Sequence, residues 1–420
     1  MDSNVMTSAT IDDLESQVRW YCRRLPAVLT TAKGARVWDE NGNVYIDFFA
    51  GAGVLNYGHN PEPLKRALMD YALADGIVHS LDLRTAAKRA FMQDFEETIL
   101  RPRDLRYRMM FSGPTGTNAV EAALKLARKI TGRPNVAAFT NAFHGMSLGS
   151  LAATGARSSR RAAGVPLIYV DRLPYDGYFG DDIDTLQLIT QLLDDSGSGI
   201  DPPAAFLVET VQGEGGVHSA SLAWLQGLAA LAKRYECLLI IDEIQTGCGR
   251  TGAFFSFERA GLMPDVICLS KAISGLGLPM SMILIRPELD VWKPGDHTGT
   301  FRGNNYAFIT GRAALEYWRD PEFLATLARN IQVLDLRLNG LMEQLPADRF
   351  SLRGLGMIRG IAAEATIAEN ICNEAYRRGV LLETSGACNE VVKLLPPLNI
   401  ETDLLEDGLD RLEEAVLLTV

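Results

Sequence analysis

Residues 205–271 read AFLVETVQGEGGVHSASLAWLQGLAALAKRYECLLIIDEIQTGCGRTGAFFSFERAGLMPDVICLSK. Three short apolar runs stand in this stretch, at 205–208, 238–241 and 266–269, and the segment 221–235 between the first two has apolar residues at helical spacing. Unbroken apolar runs that alternate with helices are typical of parallel strands buried on both faces of a sheet. The stretch therefore predicts an α/β fold.

Each of the three apolar runs is followed by a residue that can carry chemistry. The first leads into Glu209, the second into Asp242 and the third into Ser270-Lys271. Ligands of parallel sheets bind beyond the carboxyl ends of the strands, which meet at one edge of the sheet. We therefore expect the functional site at this edge.

The two ends of the chain have a different pattern. An early segment, 36–49, has strand-like arms around Asn41-Gly42, which predicts a β-hairpin. The last third predicts a smaller α+β domain, with helices within 315–345 and at 367–378 and short strands at 380–383 and 390–395.

Composition restricts the class of protein. The chain has 420 residues, of which 47% are hydrophobic, so it can build one large domain or two intimate ones. Its 41 Lys and Arg against 52 Asp and Glu give a net charge of −11, which argues against nucleic acid as the main partner. Small molecules are the expected partners.

The chain has no pattern of a secreted or membrane protein. The start, Met1 to Gln17, is polar and acidic, and no apolar stretch approaches the ~20 residues of a membrane span. The six Cys form no C-x-x-C pair, and Cys237 and Cys268 lie in or beside strand-like runs. We predict a cytoplasmic enzyme with no membrane contact, no disulfides and no metal site.

Asp242 and Lys271 have two interpretations. The first is structural, either a buried ion pair or two unrelated strand-end residues. The second is that they are the charged groups of a pyridoxal phosphate site. In such a site a desolvated lysine attacks the aldehyde, and a carboxylate keeps the ring nitrogen protonated so that the ring accepts electrons. The second interpretation also requires a phosphate site.

A glycine-rich turn could provide the phosphate site. Residues 112–117 read Ser-Gly-Pro-Thr-Gly-Thr and lead into a helix that we expect to start at Asn118, with Glu121 completing a capping-box-like start. Backbone N–H groups and the helix dipole favour an anion there. Such turns are common, so this signal is weak alone.

Several longer motifs together are more specific. They lie, in chain order, at 116–117 before 121–125, and at 143–145, 209–216, 242–247 with 249–252, 270–271 and 299–301. With these motifs the sequence resembles the class III, or omega, pyridoxal-phosphate aminotransferases over essentially its whole length. Runs at 51–60, 113–121 and 300–304 make it most similar to the diaminobutyrate–2-oxoglutarate transaminases of the ectoine and siderophore type.

This resemblance implies the type I aminotransferase fold, with pyridoxal 5'-phosphate as cofactor. It implies a large cofactor-binding domain with a mostly parallel sheet at 71–311 and a small α+β domain at 312–420. The N-terminal segment, 1–70, joins the small domain. It also implies a homodimer or a higher homo-oligomer, in which Thr300 reaches the cofactor phosphate of the neighbouring subunit.

The resemblance also implies the catalytic pair and the phosphate contacts. Lys271 forms the Schiff base with the cofactor and then moves the proton of the 1,3-shift. Asp242 pairs with the ring nitrogen. Gly116 and Thr117 give backbone and hydroxyl donors to the phosphate.

Further cofactor contacts follow from the same resemblance. Phe143 and Ile244 stack on opposite faces of the ring. His144 is a hydrogen-bond partner behind the ring, and Gln245 bonds the ring hydroxyl. Glu209 orients the layer of side chains that contacts the ring. For Phe143 taken alone, an ordinary core aromatic is the alternative.

The substrate contacts depart from the broader family. Asn118 stands where many members have an acidic residue, and Lys393 stands where the usual residue is Arg before Pro-Pro-Leu. Lys keeps the charge but lacks the bidentate fork of Arg. Lys393 or Arg302 would bind the carboxylate of 2-oxoglutarate, and Glu214 would pair with Lys393 and swing away when that carboxylate arrives. The alternative is that Glu214 and Lys393 are solvated charges at the rim.

The resemblance implies transfer of the terminal amino group between L-2,4-diaminobutyrate and 2-oxoglutarate. Alternatives on the same fold are an omega-transaminase for ornithine, lysine or 4-aminobutyrate, and a racemase or aminomutase. A binding protein on an inactive aminotransferase fold is disfavoured, because both Lys271 and Asp242 are present.

Overall fold

The computed structural model describes residues 14–420, so most of the polar start discussed above lies outside the described residues. The strands, in chain order, are β1 (Leu29–Lys33), β2 (Arg36–Asp39), β3 (Val44–Asp47), β4 (Arg108–Gly113), β5 (Val136–Phe139), β6 (Val170–Leu173), β7 (Ala205–Val208), β8 (Val211–Gln212), β9 (His218–Ser219), β10 (Leu238–Asp242), β11 (Val266–Leu269), β12 (Ser281–Ile285), β13 (Ser351–Leu355), β14 (Ile358–Ala362), β15 (Val380–Leu381), β16 (Glu383–Ser385) and β17 (Val391–Leu394).

Helices connect most of these strands. They are α1 (Glu62–Leu73), α2 (Ala86–Phe95), α3 (Gly116–Thr131), α4 (Leu148–Ala153), α5 (Arg157–Arg161), α6 (Thr185–Asp194), α7 (Leu222–Arg234), α8 (Asn305–Leu315), α9 (Pro321–Met342), α10 (Ala365–Arg377) and α11 (Thr402–Thr419). Shorter helical turns also occur, and the one at Lys271–Ser274 directly follows β11.

The large sheet has the strand order β4-β12-β11-β10-β7-β5-β6. Its strands from β11 to β6 pair in parallel, whereas β12 is antiparallel to both of its neighbours. The three apolar runs of the sequence are β7, β10 and β11, and β10 extends one residue further than expected, to include Asp242. The predicted mostly parallel sheet is confirmed.

Both faces of this sheet are buried. Along β10, Leu238 and Ile240 pack into the apolar layer that contains α3, whereas Leu239 and Ile241 pack into the layer that contains α7. Side chains of a strand alternate between the two faces, so a run without polar residues is what burial on both sides requires. This burial fixes where β10 ends and hence where Asp242 lies.

The N-terminal hairpin pairs with the C-terminal part of the chain. Strands β2 and β3 are antiparallel, as the Asn41-Gly42 turn predicted, and β3 pairs in parallel with β15. Asp39 stabilises the turn, because its Oδ1 accepts hydrogen bonds from the backbone N–H groups of Asn41 and Asn43. The domain boundaries near residues 70 and 311 stay predictions.

A second sheet in the C-terminal part has the order β13-β14-β17-β16 and carries Lys393 on β17. The expected short strands at 380–383 and 390–395 correspond to β15, the start of β16, and β17. Between residues 14 and 420, no helix is both long and apolar enough to cross a membrane.

Candidate active site

A cavity of about 160 Å³ lies at the carboxyl ends of β7, β10 and β11. Its lining residues come from segments that are distant in sequence: Gly116, Thr117, Phe143, His144, Gly145, Glu209, Glu214, Asp242, Ile244, Gln245 and Lys271. The structure therefore brings together nearly all of the residues that the sequence singled out for the cofactor.

Lys271 opens the turn after β11, and its backbone has a positive φ of 50°. A left-handed backbone is uncommon for a residue with a side chain, and such residues cluster at functional sites. Burial lowers the pKa of the Lys271 ammonium, and the negative charge of Glu214 only partly opposes this. The amine therefore loses its proton, and becomes a nucleophile, more readily than an exposed lysine does.

Asp242 and His144 form a buried pair. The Nδ1 atom of His144 lies 2.8 Å from Oδ2 of Asp242, and Oδ1 of Asp242 accepts a hydrogen bond of 3.0 Å from the backbone N–H of Ile244. Burial lowers the pKa of His144, but the hydrogen bond and charge of Asp242 outweigh it, so the pKa is raised overall. The imidazole and the carboxylate of Asp242 are therefore held together inside the protein.

The second nitrogen of this imidazole, Nε2, is buried and, unlike Nδ1, is not hydrogen-bonded to any residue that the structure describes. Among the residues that the structure describes, no hydrogen-bond partner faces the buried Nε2 of His144. A buried polar atom of this kind is costly and calls for a functional explanation.

Glu209 holds the loop that carries Phe143. Its Oε1 accepts a 2.9 Å hydrogen bond from the backbone N–H of Phe143. Burial raises the pKa of the Glu209 carboxyl to about 7, although His144 acts in the opposite direction. The carbonyl of Glu209 accepts a second bond, of 2.8 Å, from the hydroxyl of Tyr175. Glu209 thus positions an aromatic ring at the cavity wall.

The helix that follows the glycine-rich turn starts earlier than the sequence indicated. Helix α3 begins at Gly116, and Thr115, with an extended backbone, is its N-cap residue. Asn118 is therefore the third helical residue, and its Oδ1 accepts a 3.2 Å hydrogen bond from the backbone N–H of Thr115. The prediction that Asn118 and Glu121 form the cap is wrong, because the extended residue that can precede a helix is Thr115.

Glu121 instead belongs to a hydroxyl cluster beside the cavity. Its Oε1 accepts a 2.6 Å hydrogen bond from the hydroxyl of Ser147 and a 3.0 Å bond from the backbone N–H of Ser150. The hydroxyl of Thr117 lies 2.6 Å from that of Ser147. The side chains behind the helix terminus are therefore held in one network.

Glycine is needed at this helix terminus. A Cβ atom at Gly116 would lie 3.0 Å from Cδ1 of Ile244, and one at Gly145 would lie 2.6 Å from Oγ1 of Thr117. The backbone of Gly145 also has a positive φ of 124°. Bare backbone at these positions leaves room for a ligand beside the N–H groups of α3.

Lys393 and Glu214 form an ion pair at the other end of the cavity. Their Nζ and Oε1 atoms are 2.7 Å apart. Burial raises the pKa of Glu214, but the charges of Lys393 and Lys271 more than offset it and bring that pKa down to about 2. Because the Lys393 side chain is fully buried, the alternative of two solvated rim charges is wrong.

Gln245 connects this ion pair to the N-terminal region. Its Nε2 donates to Oε1 of Glu214 at 2.8 Å and to the carbonyl of Ala52 at 2.9 Å. Its Oε1 is buried and makes no hydrogen bond within the described part of the chain. Gln245 and Lys393 therefore donate to the same oxygen of Glu214.

Thr300 and Arg302 do not reach this cavity within one chain. Thr300 is exposed, and its carbonyl accepts a 2.6 Å hydrogen bond from His79. Arg302 bonds the carbonyl of His297 at 3.1 Å and lines a different, larger cavity of about 1020 Å³. Of the two candidates for the substrate carboxylate, only Lys393 lies near the cavity.

One residue at the site was missed by the sequence interpretation. Glu383 lies 2.9 Å from Nζ of Lys393, and its side chain is nearly fully buried. The signal was present, because Glu383 follows directly on the apolar run 380–382, where an acidic residue needs a partner.

Comparison with known proteins identifies the family. A family model described as aminotransferase class-III matches residues 19–416. The chain belongs to the class III aminotransferases. It is therefore a pyridoxal-phosphate-dependent aminotransferase of the type I fold, and the expectations of family, fold class and cofactor are confirmed.

Its curated relatives are similar over nearly the whole length. The diaminobutyrate–2-oxoglutarate transaminase of Halalkalibacterium halodurans is 51% identical over 406 residues, which are 96% of this chain and 95% of the relative. The enzyme of the same name from Streptomyces anulatus is 55% identical over 411 residues, or 97% of each chain.

Solved structures of aminotransferases have the same fold. An ornithine aminotransferase from Toxoplasma gondii, with PLP in partial occupancy at its active site, has a TM-score of 0.83 and 27% identity, over 98% of this chain and 93% of that chain. A transaminase from the marine bacterium Virgibacillus has a TM-score of 0.87 at 19% identity, over 98% of each chain, and shows the fold alone.

Proposed function

We propose that this aminotransferase moves the terminal amino group between L-2,4-diaminobutyrate and 2-oxoglutarate, with aspartate 4-semialdehyde and glutamate as the other two compounds. The names of relatives that are 51% and 55% identical over almost the full chain support this. The observation that carries the proposal is the cavity itself, which is lined by Lys271 and by Glu214, the ion-pair partner of the buried Lys393.

The donor set of the cavity fits pyridoxal phosphate. When bound, the cofactor supplies an aldehyde for the amino group and a protonated ring that accepts electrons from the reacting carbon. Asp242, whose Oδ2 lies 2.8 Å from Nδ1 of His144, would hold the ring nitrogen protonated. The backbone N–H groups of Gly116 and Thr117 at the start of α3 would bind the phosphate.

The remaining cofactor contacts follow from the lining of the cavity. Phe143 and Ile244 would lie against the two faces of the ring, and Glu209 holds Phe143 in place. Gln245 would bond the ring hydroxyl from its position beside Glu214. These groups keep the ring in one orientation, which aligns the bond that breaks with the π-system of the ring.

Lys271 would perform the proton transfer. Its Nζ, which burial makes easier to deprotonate, would take a proton from the reacting carbon of the substrate and return it two atoms away, to the carbon on the other side of the transferred nitrogen. The cavity walls limit access of water to that carbon.

Glu214 and Lys393 would let one site accept two unlike amino donors. Glutamate brings an α-carboxylate to the reacting carbon, whereas the terminal carbon of diaminobutyrate carries none. In the second case Glu214 covers the buried Lys393 charge, which would be costly if left alone. In the first case the α-carboxylate takes the place of Glu214, whose side chain is 24% exposed and so has space to move.

A substrate panel tests the function. Purified holoenzyme is assayed with glutamate and aspartate 4-semialdehyde, and in parallel with 2-oxoglutarate and each of diaminobutyrate, ornithine, lysine and 4-aminobutyrate. We expect the highest kcat/KM for the diaminobutyrate pair. A higher value for another donor would assign a different omega-transaminase, and conversion without any oxo acid would assign a racemase or aminomutase.

We further propose that the enzyme is a cytoplasmic homodimer whose product enters ectoine biosynthesis. The exposed position of Thr300, away from the cavity of its own chain, supports a contact with a neighbouring subunit. Such a pathway requires the reaction to run from aspartate 4-semialdehyde and glutamate towards diaminobutyrate.

A further inference from the structure

The loop that carries Phe143 and His144 is tied to helix α3 through the short helix α4. Ser147 is the N-cap residue of α4, yet its side chain makes no capping hydrogen bond to that helix. The carboxylate of Glu121 on α3 takes this place, because its Oε1 accepts a 3.0 Å hydrogen bond from the backbone N–H of Ser150, the third residue of α4. A side chain of one helix thus caps the next.

Helix α4 in turn holds His144. Thr154, which follows α4, accepts a 3.0 Å hydrogen bond from the backbone N–H of His144 with its hydroxyl oxygen and donates to the carbonyl of Gly145 at 3.0 Å. His144 is the buried partner of Asp242. A shift of α4 away from α3 would therefore move the residues at the ring end of the cavity.

Two glycines allow the close approach of α3 to this loop. A Cβ atom at Gly149 would lie 2.2 Å from Oε2 of Glu121, and one at Gly145 would lie 2.6 Å from Oγ1 of Thr117. The Glu121 and Thr117 side chains therefore lie against bare backbone of the loop and of α4. The hydroxyl of Thr117 faces the loop.

The hydrogens between α3 and the loop can be counted, since each hydroxyl has one hydrogen to donate. The hydroxyl of Ser147 donates to Oε1 of Glu121 at 2.6 Å, so its hydrogen is used. The hydroxyl oxygens of Ser147 and Thr117 are also 2.6 Å apart, and a contact of this length needs a hydrogen between the two atoms. Thr117 must supply it.

The hydroxyl hydrogen of Thr117 is therefore used inside the protein. The oxygen of the same hydroxyl is hydrogen-bonded to the hydroxyl of Ser150 and accepts a 3.3 Å bond from the backbone N–H of Ser147. All of these contacts are on the side of the loop. The Thr117 side chain then has no hydrogen to give to a phosphate, whereas its backbone N–H at the start of α3 is unaffected.

We propose that Thr117 and Glu121 are positioning residues: the hydroxyl chain from Thr117 through Ser147 to Glu121 fastens the loop of Phe143 and His144 to α3, and Thr117 gives the phosphate only its backbone N–H. This inference rests on the proposed function, because it assumes that the cofactor phosphate binds at the start of α3. It replaces the hydroxyl donor that the resemblance implied for Thr117.

Two ligands separate a loop contact from a phosphate contact. Pyridoxal is pyridoxal 5'-phosphate without the phosphate group. The full-length protein, freed of cofactor, is titrated with each ligand, and absorbance gives the two dissociation constants. Loss of a phosphate donor weakens only the binding of pyridoxal 5'-phosphate. Loss of a loop contact weakens both ligands, because both have the ring that the loop holds.

Thr117→Val removes the hydroxyl and keeps the shape of the side chain. We expect the affinity for both ligands to fall by the same factor, about fivefold, which is typical of one neutral hydrogen bond. Thr117→Ser keeps a hydroxyl and should be close to wild type. Thr131→Val makes the same substitution at the last residue of α3, where the hydroxyl bonds the carbonyl of Ala127, and should change neither affinity.

Variants of Glu121 test the other end of the chain. Glu121→Gln keeps an acceptor oxygen and should resemble wild type, whereas Glu121→Ala removes the acceptor. The circular dichroism of the bound cofactor depends on asymmetric contacts with its ring, so we expect this signal to decrease in the Glu121→Ala holoenzyme. Adding Thr117→Val to Glu121→Ala should cause little further loss, because the two side chains act through one chain of hydrogen bonds.

The outcomes are distinct. If Thr117→Val lowers the affinity for pyridoxal 5'-phosphate by tenfold or more and leaves that for pyridoxal unchanged, the hydroxyl is a phosphate donor and the inference is wrong. Unchanged affinity for both ligands would overturn the loop contact. Wild-type protein that binds both ligands equally well would overturn the phosphate contact proposed at α3, and the inference with it. Unchanged dichroism in Glu121→Ala would overturn the inference even if Thr117→Val fails to fold.

Discussion

At the scale of single residues, chemistry at this site depends on buried charges that are paired with other side chains. Asp242 has the imidazole of His144, and Lys393 has Glu214 as its cavity-side partner. Removing one member of a buried pair leaves the other without compensation, and this costs more than the pair itself contributes. Isosteric substitutions are therefore the informative ones.

Asp242→Asn removes the charge and keeps the shape. We expect kcat to fall by at least about 100-fold, because a neutral amide cannot hold the protonated ring nitrogen. The pKa of His144 should also fall, since the charge that raises it is lost and burial then dominates. Steady-state kinetics and NMR titration of the imidazole measure the two effects. A kcat near wild type would place the electron-accepting role elsewhere.

Lys271→Ala removes the amine. We expect loss of covalent cofactor attachment and a decrease in turnover of at least about 1,000-fold, because no other lysine lines the cavity within residues 14–420. Borohydride reduction followed by peptide mass analysis detects the attachment. The exposed Lys233→Ala on α7 is the control and should behave as wild type. An active, cofactor-labelled Lys271→Ala protein would contradict the assignment.

Glu214→Gln and Lys393→Ala should have opposite effects. The first uncovers Lys393 and slows the diaminobutyrate half-reaction by about tenfold or more, while the glutamate half-reaction is spared or improved. The second removes the carboxylate-binding cation and slows the glutamate half-reaction preferentially. Single-turnover absorbance measurements follow each half-reaction separately. Equal losses with both donors would show that the pair supports the site without selecting substrates.

At the scale of elements, the start of helix α3 would form the phosphate end of the proposed cofactor site. Gly116 and Thr117 are its first residues, and the N-cap Thr115 is held by the Asn118 side chain. The free N–H groups and the positive end of the helix dipole are thus presented to the cavity in one fixed orientation. With the phosphate bound there, the cap would link helix stability to cofactor retention.

Asn118→Ala tests this link. Loss of the capping acceptor should lower the free energy of unfolding by about 1 kcal/mol and weaken cofactor binding severalfold. Asn118→Asp keeps an acceptor oxygen and should be close to wild type in both respects. Denaturant unfolding of the apo-protein and a cofactor titration measure the two quantities. If the Ala and Asp variants behave alike, the side chain of Asn118 does not hold the helix start.

At the scale of the whole molecule, Thr300 lies on an exposed turn that does not contribute to the cavity of its own chain. A residue of this kind contributes to catalysis only if a second subunit brings it to the partner's site. The contact that holds the two subunits together would then also help to hold the cofactor.

Thr300→Val should therefore weaken cofactor binding. A charge-assisted hydrogen bond to phosphate contributes about 1.5–3 kcal/mol, so its loss lowers affinity by roughly tenfold or more. Thr300→Ser retains the hydroxyl and serves as the control. Sedimentation measures the oligomeric state and dialysis measures cofactor retention. A fully active monomer would refute a shared site.

Much of this site could be derived from the sequence because the carboxyl ends of parallel strands meet at one edge. The alternation of apolar runs with helices determines that edge, and each run leads directly into a functional residue. Glu209, Asp242 and Lys271 were therefore predicted to lie together, and they line one cavity. The hairpin around Asn41-Gly42 was also predictable from a short segment, because the conformation of a tight turn depends on the residues of the turn itself.

The sequence by itself determined the fold class, the family and most of the residues that line the cavity, since strand patterns and motifs are properties of short segments. Only the tertiary structure decided which residues meet from different segments. It paired Glu383 with Lys393 through the register of two strands and kept Arg302 away from the cavity. Register and burial depend on packing across the whole molecule, so no local pattern contains them.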